Sequence, residues 1–127
     1  MKKIISTNKA PSAIGPYNQA TAFKKLLFLS GQIPLVPETM EIIQGGVKEQ
    51  TKQVMENLKA VLEEGKSSFD NVLKTTCYLS DMDNFVAFNE VYSEYFGSDN
   101  APARATVAVK TLPKNVLVEV DAIAFKN

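Results

Sequence analysis

The sequence predicts an α+β fold, a mixed β-sheet with two helices packed on one face. Three observations carry that prediction. Segments 47–64 and 84–96 repeat apolar residues at helical spacing. Short runs at 3–6, 18–23, 26–30, 71–79, 104–110 and 116–125 have strand composition. The helices alternate with the later strands, and two amphipathic helices can cover only one face of such a sheet.

The elements follow in order. Residues 3–6 form a short first strand. An irregular stretch, 8–16, is punctuated by Pro11, Gly15 and Pro16, and Tyr17 follows it directly. Tyr17 is either a half-buried loop aromatic or the wall of a pocket. Lys24-Lys25 is a polar turn between strands 18–23 and 26–30, which makes a hairpin. Ser30-Gly31-Gln32 ends that hairpin, with Gly31 marking a bulge or a close backbone approach. Pro34 and Pro37 keep the chain extended, and Ile42-Ile43 add a short edge strand.

Val47, Thr51, Val54, Leu58, Val61 and Leu62 line the inner stripe of the first helix, and Gly65 stops it. Strand 71–79 reads as buried. Asp81 or Asp83 caps the second helix, whose inner stripe is Phe85, Phe88, Val91, Tyr92, Tyr95 and Phe96. Gly97 ends it.

The composition excludes whole classes of chemistry. A chain of 127 residues is read as one domain, 1–127, with 45% hydrophobic and 22% charged residues. Lys plus Arg and Asp plus Glu are 14 each, so there is no broad positive field for nucleic acid. No apolar run approaches membrane length and no leader core follows Met1, so a cytoplasmic protein is expected. Cys77, the single cysteine, forbids an internal disulfide and is expected in the core. Histidine is absent, which removes Ser-His-Asp and Cys-His nucleophiles and any His-based zinc site. Proton transfer must fall to Glu, Asp, Tyr, Lys, backbone or water. No glycine-rich phosphate loop is present.

The anomaly lies near the end. In 116–125, Val116, Val118, Val120, Ala122 and Ala124 share one apolar face, yet the other face carries Glu119 and Asp121. In 104–110, Arg104 and Thr106 share a face. The break at Pro113-Lys114-Asn115 suggests an antiparallel hairpin, with Arg104 opposite Asp121 and Thr106 opposite Glu119. One reading is a cross-strand salt bridge worth at most about 1 kcal/mol. The other is a site in which Arg104 forks onto a ligand carboxylate and a glutamate handles water or a proton. The polar sheet face then needs a cover the helices cannot supply, and further copies of the chain are the economical one.

Ala-Ile-Gly-Pro-Tyr at 13–17, Ser-Gly-Gln-Ile-Pro at 30–34, Asn-Glu-Val-Tyr at 89–92, Pro-Ala-Arg at 102–104, Leu-Pro-Lys at 112–114 and Val-Glu-Val at 118–120 occur in that order. Over nearly its whole length the chain resembles the RidA (YjgF) family of reactive intermediate deaminases. The resemblance implies a chorismate-mutase-like fold and a homotrimer with three inter-subunit clefts. It implies hydrolysis of 2-imino acids, tautomers of enamines such as 2-aminoacrylate, to 2-keto acids and ammonia, without a cofactor or metal. On the same basis Arg104 grips the substrate carboxylate and Glu119 positions or activates water. Tyr17, Ser30, Gly31 and Asn89 line the cleft, and Thr106 stands where many members have Cys. Alternatives are a regulatory module that binds a small carboxylate or a partner protein, an RNA-cleaving relative, and a chorismate mutase. Zero net charge disfavours the second. The third wants more cations than Arg104 alone.

Overall fold

The computed structural model describes residues 1–127. Six strands, β1 (Lys3–Ile5), β2 (Ala20–Phe23), β3 (Leu26–Gln32), β4 (Val72–Leu79), β5 (Ala103–Ala108) and β6 (Val118–Phe125), form one sheet in the order β1-β2-β3-β6-β4-β5. Helices α1 (Val47–Glu64) and α2 (Phe85–Phe96) complete the α+β architecture expected from the sequence. The expected 42–43 strand shrinks to a single bridge between Leu35 and Ile42, and the strands expected at 18–23, 104–110 and 116–125 are shorter by one or two residues.

The topology follows from the helical connections. β3 passes through α1 to β4, and β4 passes through α2 to β5. β4 and β5 pair in parallel, and β6 is antiparallel to both β3 and β4. Both crossovers therefore step the same way across the sheet. Crossovers have one hand, so both helices land on one side. The gap left between β3 and β4 is filled by β6.

This overturns the expected hairpin. β5 pairs with β4 alone and lies at the sheet edge, and β4 separates it from β6. The turn at Pro113–Asn115 is real, with Lys114 and Asn115 at φ 56°. It lies within a longer connection, 109–117, that carries the chain past β4.

The core lies between helices and sheet. Val54, Met55, Leu58, Val61 and Leu62 of α1 meet Leu27, Leu29, Val118, Val120, Ala122 and Ala124 of the sheet. Phe88, Tyr92 and Phe96 of α2 cover Cys77 and Leu79. Cys77 is fully buried, and that burial pushes its thiol up to about 11, so it is a core residue and not a nucleophile.

The opposite sheet face carries no helix. Ile4, Phe23, Leu26, Phe28 and Phe125 remain 38–61% exposed there. They are close neighbours, because Leu26 pairs with both Phe23 and Phe125, and Thr21 with both Ile4 and Phe28. Five large apolar side chains grouped on one open face mark a surface made to be covered.

Candidate active site in two halves

Directly paired residues of neighbouring strands project to the same side of a sheet. Arg104 pairs with Thr75, and Thr75 with Ala122, and both of these partners are buried on the helix side. Glu119 pairs with Tyr78 and points to the open side. One chain therefore places Arg104 and Glu119 on opposite faces of the sheet. The expectation that they share a face fails together with the hairpin.

Glu119 belongs to the first half. Its carboxylate lies against Gly31, where a Cβ would come 3.0 Å from Glu119 Cδ and nearer still to an oxygen. Any side chain at position 31 would displace the carboxylate, which is the close approach the glycine allows. The β3 register shifts between Leu29 and Gln32, so the bulge is present as well.

The walls are held by short hydrogen bonds. Ser30 Oγ donates to the Asn18 carbonyl at 2.6 Å. Buried Gln19 donates to the carbonyls of Thr7 at 3.0 Å and Pro11 at 2.8 Å, which pins the irregular N-terminal loop. Tyr17, at the end of that loop, accepts a long hydrogen bond from the Ile14 N–H, 3.3 Å, and is 50% exposed. Ile14, Tyr17, Ser30, Gly31, Ile33, Pro113 and Glu119 enclose a cleft of about 480 Å³. Burial raises the Glu119 carboxyl above the ordinary carboxylate value, and the nearby Asp121 charge adds to the effect.

Arg104 belongs to the second half. Its Nη1 donates to Asn89 Oδ1 at 2.7 Å. Its guanidinium lies 4.8 Å from the Tyr92 ring centre and 5.6 Å from that of Phe85. Phe85, Asn89 and Tyr92 are spaced i, i+4, i+7 and so present one face of α2. Tyr92 is itself fixed by a 2.7 Å hydrogen bond between its hydroxyl and Thr75 Oγ1. The result is an aromatic pedestal that holds the fork and leaves its remaining donors outward. Asn89, Tyr92, Ser93, Gly97, Ala101, Pro102 and Arg104 line a cleft of about 470 Å³.

Thr106 lies beside Cys77 on the same side as Arg104. Its Oγ1 is shut from solvent with no hydrogen-bond partner, and Thr106 is not among the residues lining that cleft. Neither half closes an ion pair of its own. The one salt bridge of the chain joins Lys48 Nζ to Glu90 Oε2 at 2.6 Å on the helix surface. No group of three or more His, Cys, Asp or Glu is placed to hold a metal ion. No helix is long and apolar enough to cross a membrane.

The cleft expected to be lined by Tyr17, Ser30, Gly31 and Asn89 together with Arg104 and Glu119 is divided within one chain: Tyr17, Ser30, Gly31 and Glu119 lie in one cleft, and Asn89 and Arg104 in the other. Sequence reasoning took Tyr92 and Phe85 for plain core residues. Their i, i+7 spacing about Asn89 was the available signal for a pedestal.

The comparisons agree with this fold. The family model described as endoribonuclease L-PSP matches residues 7–126. A RutC family protein of Pyrococcus abyssi is 54% identical over 98% of this chain and 98% of its own. The 2-iminobutanoate/2-iminopropanoate deaminase of Homo sapiens is 42% identical over 99% of this chain and 91% of its own. Among solved structures, E. coli TdcF with bound serine superposes with a TM-score of 0.91 at 40% identity, covering 98% of this chain and 99% of that one. The chain belongs to the endoribonuclease L-PSP family, which takes in the RutC, YjgF and RidA proteins.

Proposed function

We propose that this protein hydrolyses reactive 2-imino acids to 2-keto acids and ammonia, in clefts formed between the copies of a homotrimer. One observation carries the reading. The outward guanidinium of Arg104 and the half-buried carboxylate of Glu119 have no ionic partner in their own chain and face opposite ways. Each half is completed by the other half of a second copy.

The chemistry suits a chain without histidine. A protonated imine is already electrophilic at C2 and needs no covalent nucleophile. Arg104 of one copy binds the substrate carboxylate through two parallel N–H donors. Glu119 of the next copy takes a proton from a water as the water oxygen bonds to C2. Protonated Glu119 returns its proton to the carbinolamine nitrogen; as the C–N bond breaks, the hydroxyl oxygen forms the C=O and gives its proton back to the Glu119 carboxylate, so ammonia leaves and the 2-keto acid remains. Tyr17, Ser30 and Gly31 shape the Glu119 side, and Asn89 orients Arg104. Thr106 contributes through the edge-strand backbone, in keeping with its enclosed hydroxyl. No cofactor takes part.

The bound serine of TdcF and the activity of the human relative support a small amino- or imino-acid ligand over a nucleic acid. Ammonia release decides the point. Imines generated in situ from several amino acids by an oxidase or a dehydratase should be hydrolysed faster with the protein than without it. Equal rates for every imine would leave the site a binding module.

The assembly has its own test. The exposed apolar group on the open sheet face adjoins the strand bearing Glu119 and is the surface for association. Light scattering is expected to give about 42 kDa, three times the 14.0 kDa chain. A monomer at micromolar concentration would remove the basis for a shared cleft.

A further inference from the structure

Two polar side chains of the open face, Asp121 and Tyr78, lie next to Glu119. Asp121 lies two residues along β6, on the same side of the strand. Tyr78 of β4 is the direct cross-strand partner of Glu119. Its hydroxyl donates to Asp121 Oδ2 at 3.4 Å, a long bond. Resting on the hydrolytic reading above, we propose that Asp121, steadied by Tyr78, is a positioning residue for the reaction: its negative charge makes Glu119 a stronger proton acceptor as water attacks.

The arrangement serves a purpose that plain sheet cover would not. A like charge close by opposes ionisation of Glu119 and so favours its taking up a proton. The two acids have different surroundings. Glu119 lies under Gly31 with no hydroxyl or cation to hold it in this chain, whereas Asp121 receives the Tyr78 hydroxyl. The two carboxylates thus differ in their contacts: Asp121 is tied to a hydroxyl, and Glu119 is left free to reach the water. Burial and the Asp121 charge both raise the Glu119 carboxyl, burial more.

Few other charged or titratable groups face Glu119. On its own strand there is Asp121, and from β4 Tyr78, with Lys74 further along the same side of β4, opposite Ile123. Gly31 and Gln32 of β3 bring none. The N-terminal loop brings Tyr17 to the cleft. Lys114, in the turn after Pro113, lines the adjoining cavity that shares Tyr17 and Gly31. In the assembly, Arg104 of a neighbouring copy joins them. Every cation in that set works against proton uptake, which leaves Asp121 as the carboxylate that favours it.

The test uses the assembled protein and two readouts. One is the pH dependence of kcat/KM for imine hydrolysis. The other is a carbon-13 NMR titration with labelled glutamate, in which the Glu119 signal is identified by its loss in Glu119→Gln. Asp121→Asn should move the acid limb and the Glu119 titration together to lower pH. Its plateau rate should fall about threefold, as a weaker base accepts a proton less readily. Asp121→Glu, which keeps the charge, should hold both near wild type. An Asp121→Asn profile and titration that superimpose on wild type, with Glu119→Gln inactive, would overturn the role of Asp121 and leave the hydrolytic reading standing. A fully active Glu119→Gln would instead remove Glu119 as the base and the role of Asp121 with it, whereas wild-type protein that hydrolysed no imine would sink the hydrolytic reading, with the NMR arm still reporting on Asp121.

Discussion

Arg104→Ala is expected to lose imine hydrolysis almost entirely, by about 10³-fold or more in kcat/KM. Two charge-assisted bonds to a substrate carboxylate disappear together, each worth roughly 1.5–3 kcal/mol. Arg104→Lys should fall between, because an ammonium on a flexible stem cannot reproduce the fork. The fold and the assembly should survive both changes. Arg104 is exposed, has no ion pair in its own chain, and its side chain is held by Asn89 and the Tyr92 and Phe85 rings. Steady-state rates, light scattering and a melting curve on one sample separate a lost ligand contact from a damaged fold. Near-normal turnover in Arg104→Ala would remove arginine from the mechanism.

Glu119→Gln is expected to slow turnover by roughly 10²–10⁴-fold, the usual contribution of a general base. Glutamine can still hydrogen-bond the water but cannot take its proton, so the Michaelis constant should change little. The effect on stability has a definite sign. The Glu119 carboxyl is raised in the folded chain, first by burial and then by Asp121. Its protonated form therefore suits the fold, and that contribution is lost as pH rises through the folded value. Glutamine does not titrate. The variant should melt no lower than wild type at neutral pH, and any advantage should vanish below the ordinary carboxylate range. Unchanged turnover with a clearly lowered melting temperature would instead mean that Glu119 serves an ion pair with Arg104 of a neighbouring copy.

The elements themselves were legible in the sequence, and their partners were not. Helix α1 begins at Val47 and ends at Glu64, as its apolar spacing and Gly65 require. The alternation of Val118, Val120, Ala122 and Ala124 correctly named the buried side of β6. Period-2 patterning shows which residues share a side within one strand. It cannot show which side of the sheet that is until the neighbour is known. For β5 the local turn at 113–115 pointed to β6. The neighbour was instead fixed by α2, whose crossover lays β5 parallel to β4. A short-range signal was outweighed by a long-range one. The error placed Arg104 on the open face, whereas it lies on the helix face. Gly31 was legible as a close approach, although the side chain approaching it, Glu119, was 88 positions away and could be found only through the β3–β6 pairing.

The placement of Arg104 and Glu119 on opposite faces has a genetic consequence in the proposed ring of three. A cleft that takes its arginine from one copy and its glutamate from the next can be rebuilt from two defective chains. An Arg104→Ala copy still offers an intact glutamate, and a Glu119→Gln copy an intact arginine. Random mixing in equal amounts restores about a quarter of the clefts, whereas another quarter carry both lesions. Two alleles that each abolish activity thus complement one another when expressed in the same cell. A single chain carrying both substitutions rescues neither parent, because it supplies neither an intact arginine nor an intact glutamate.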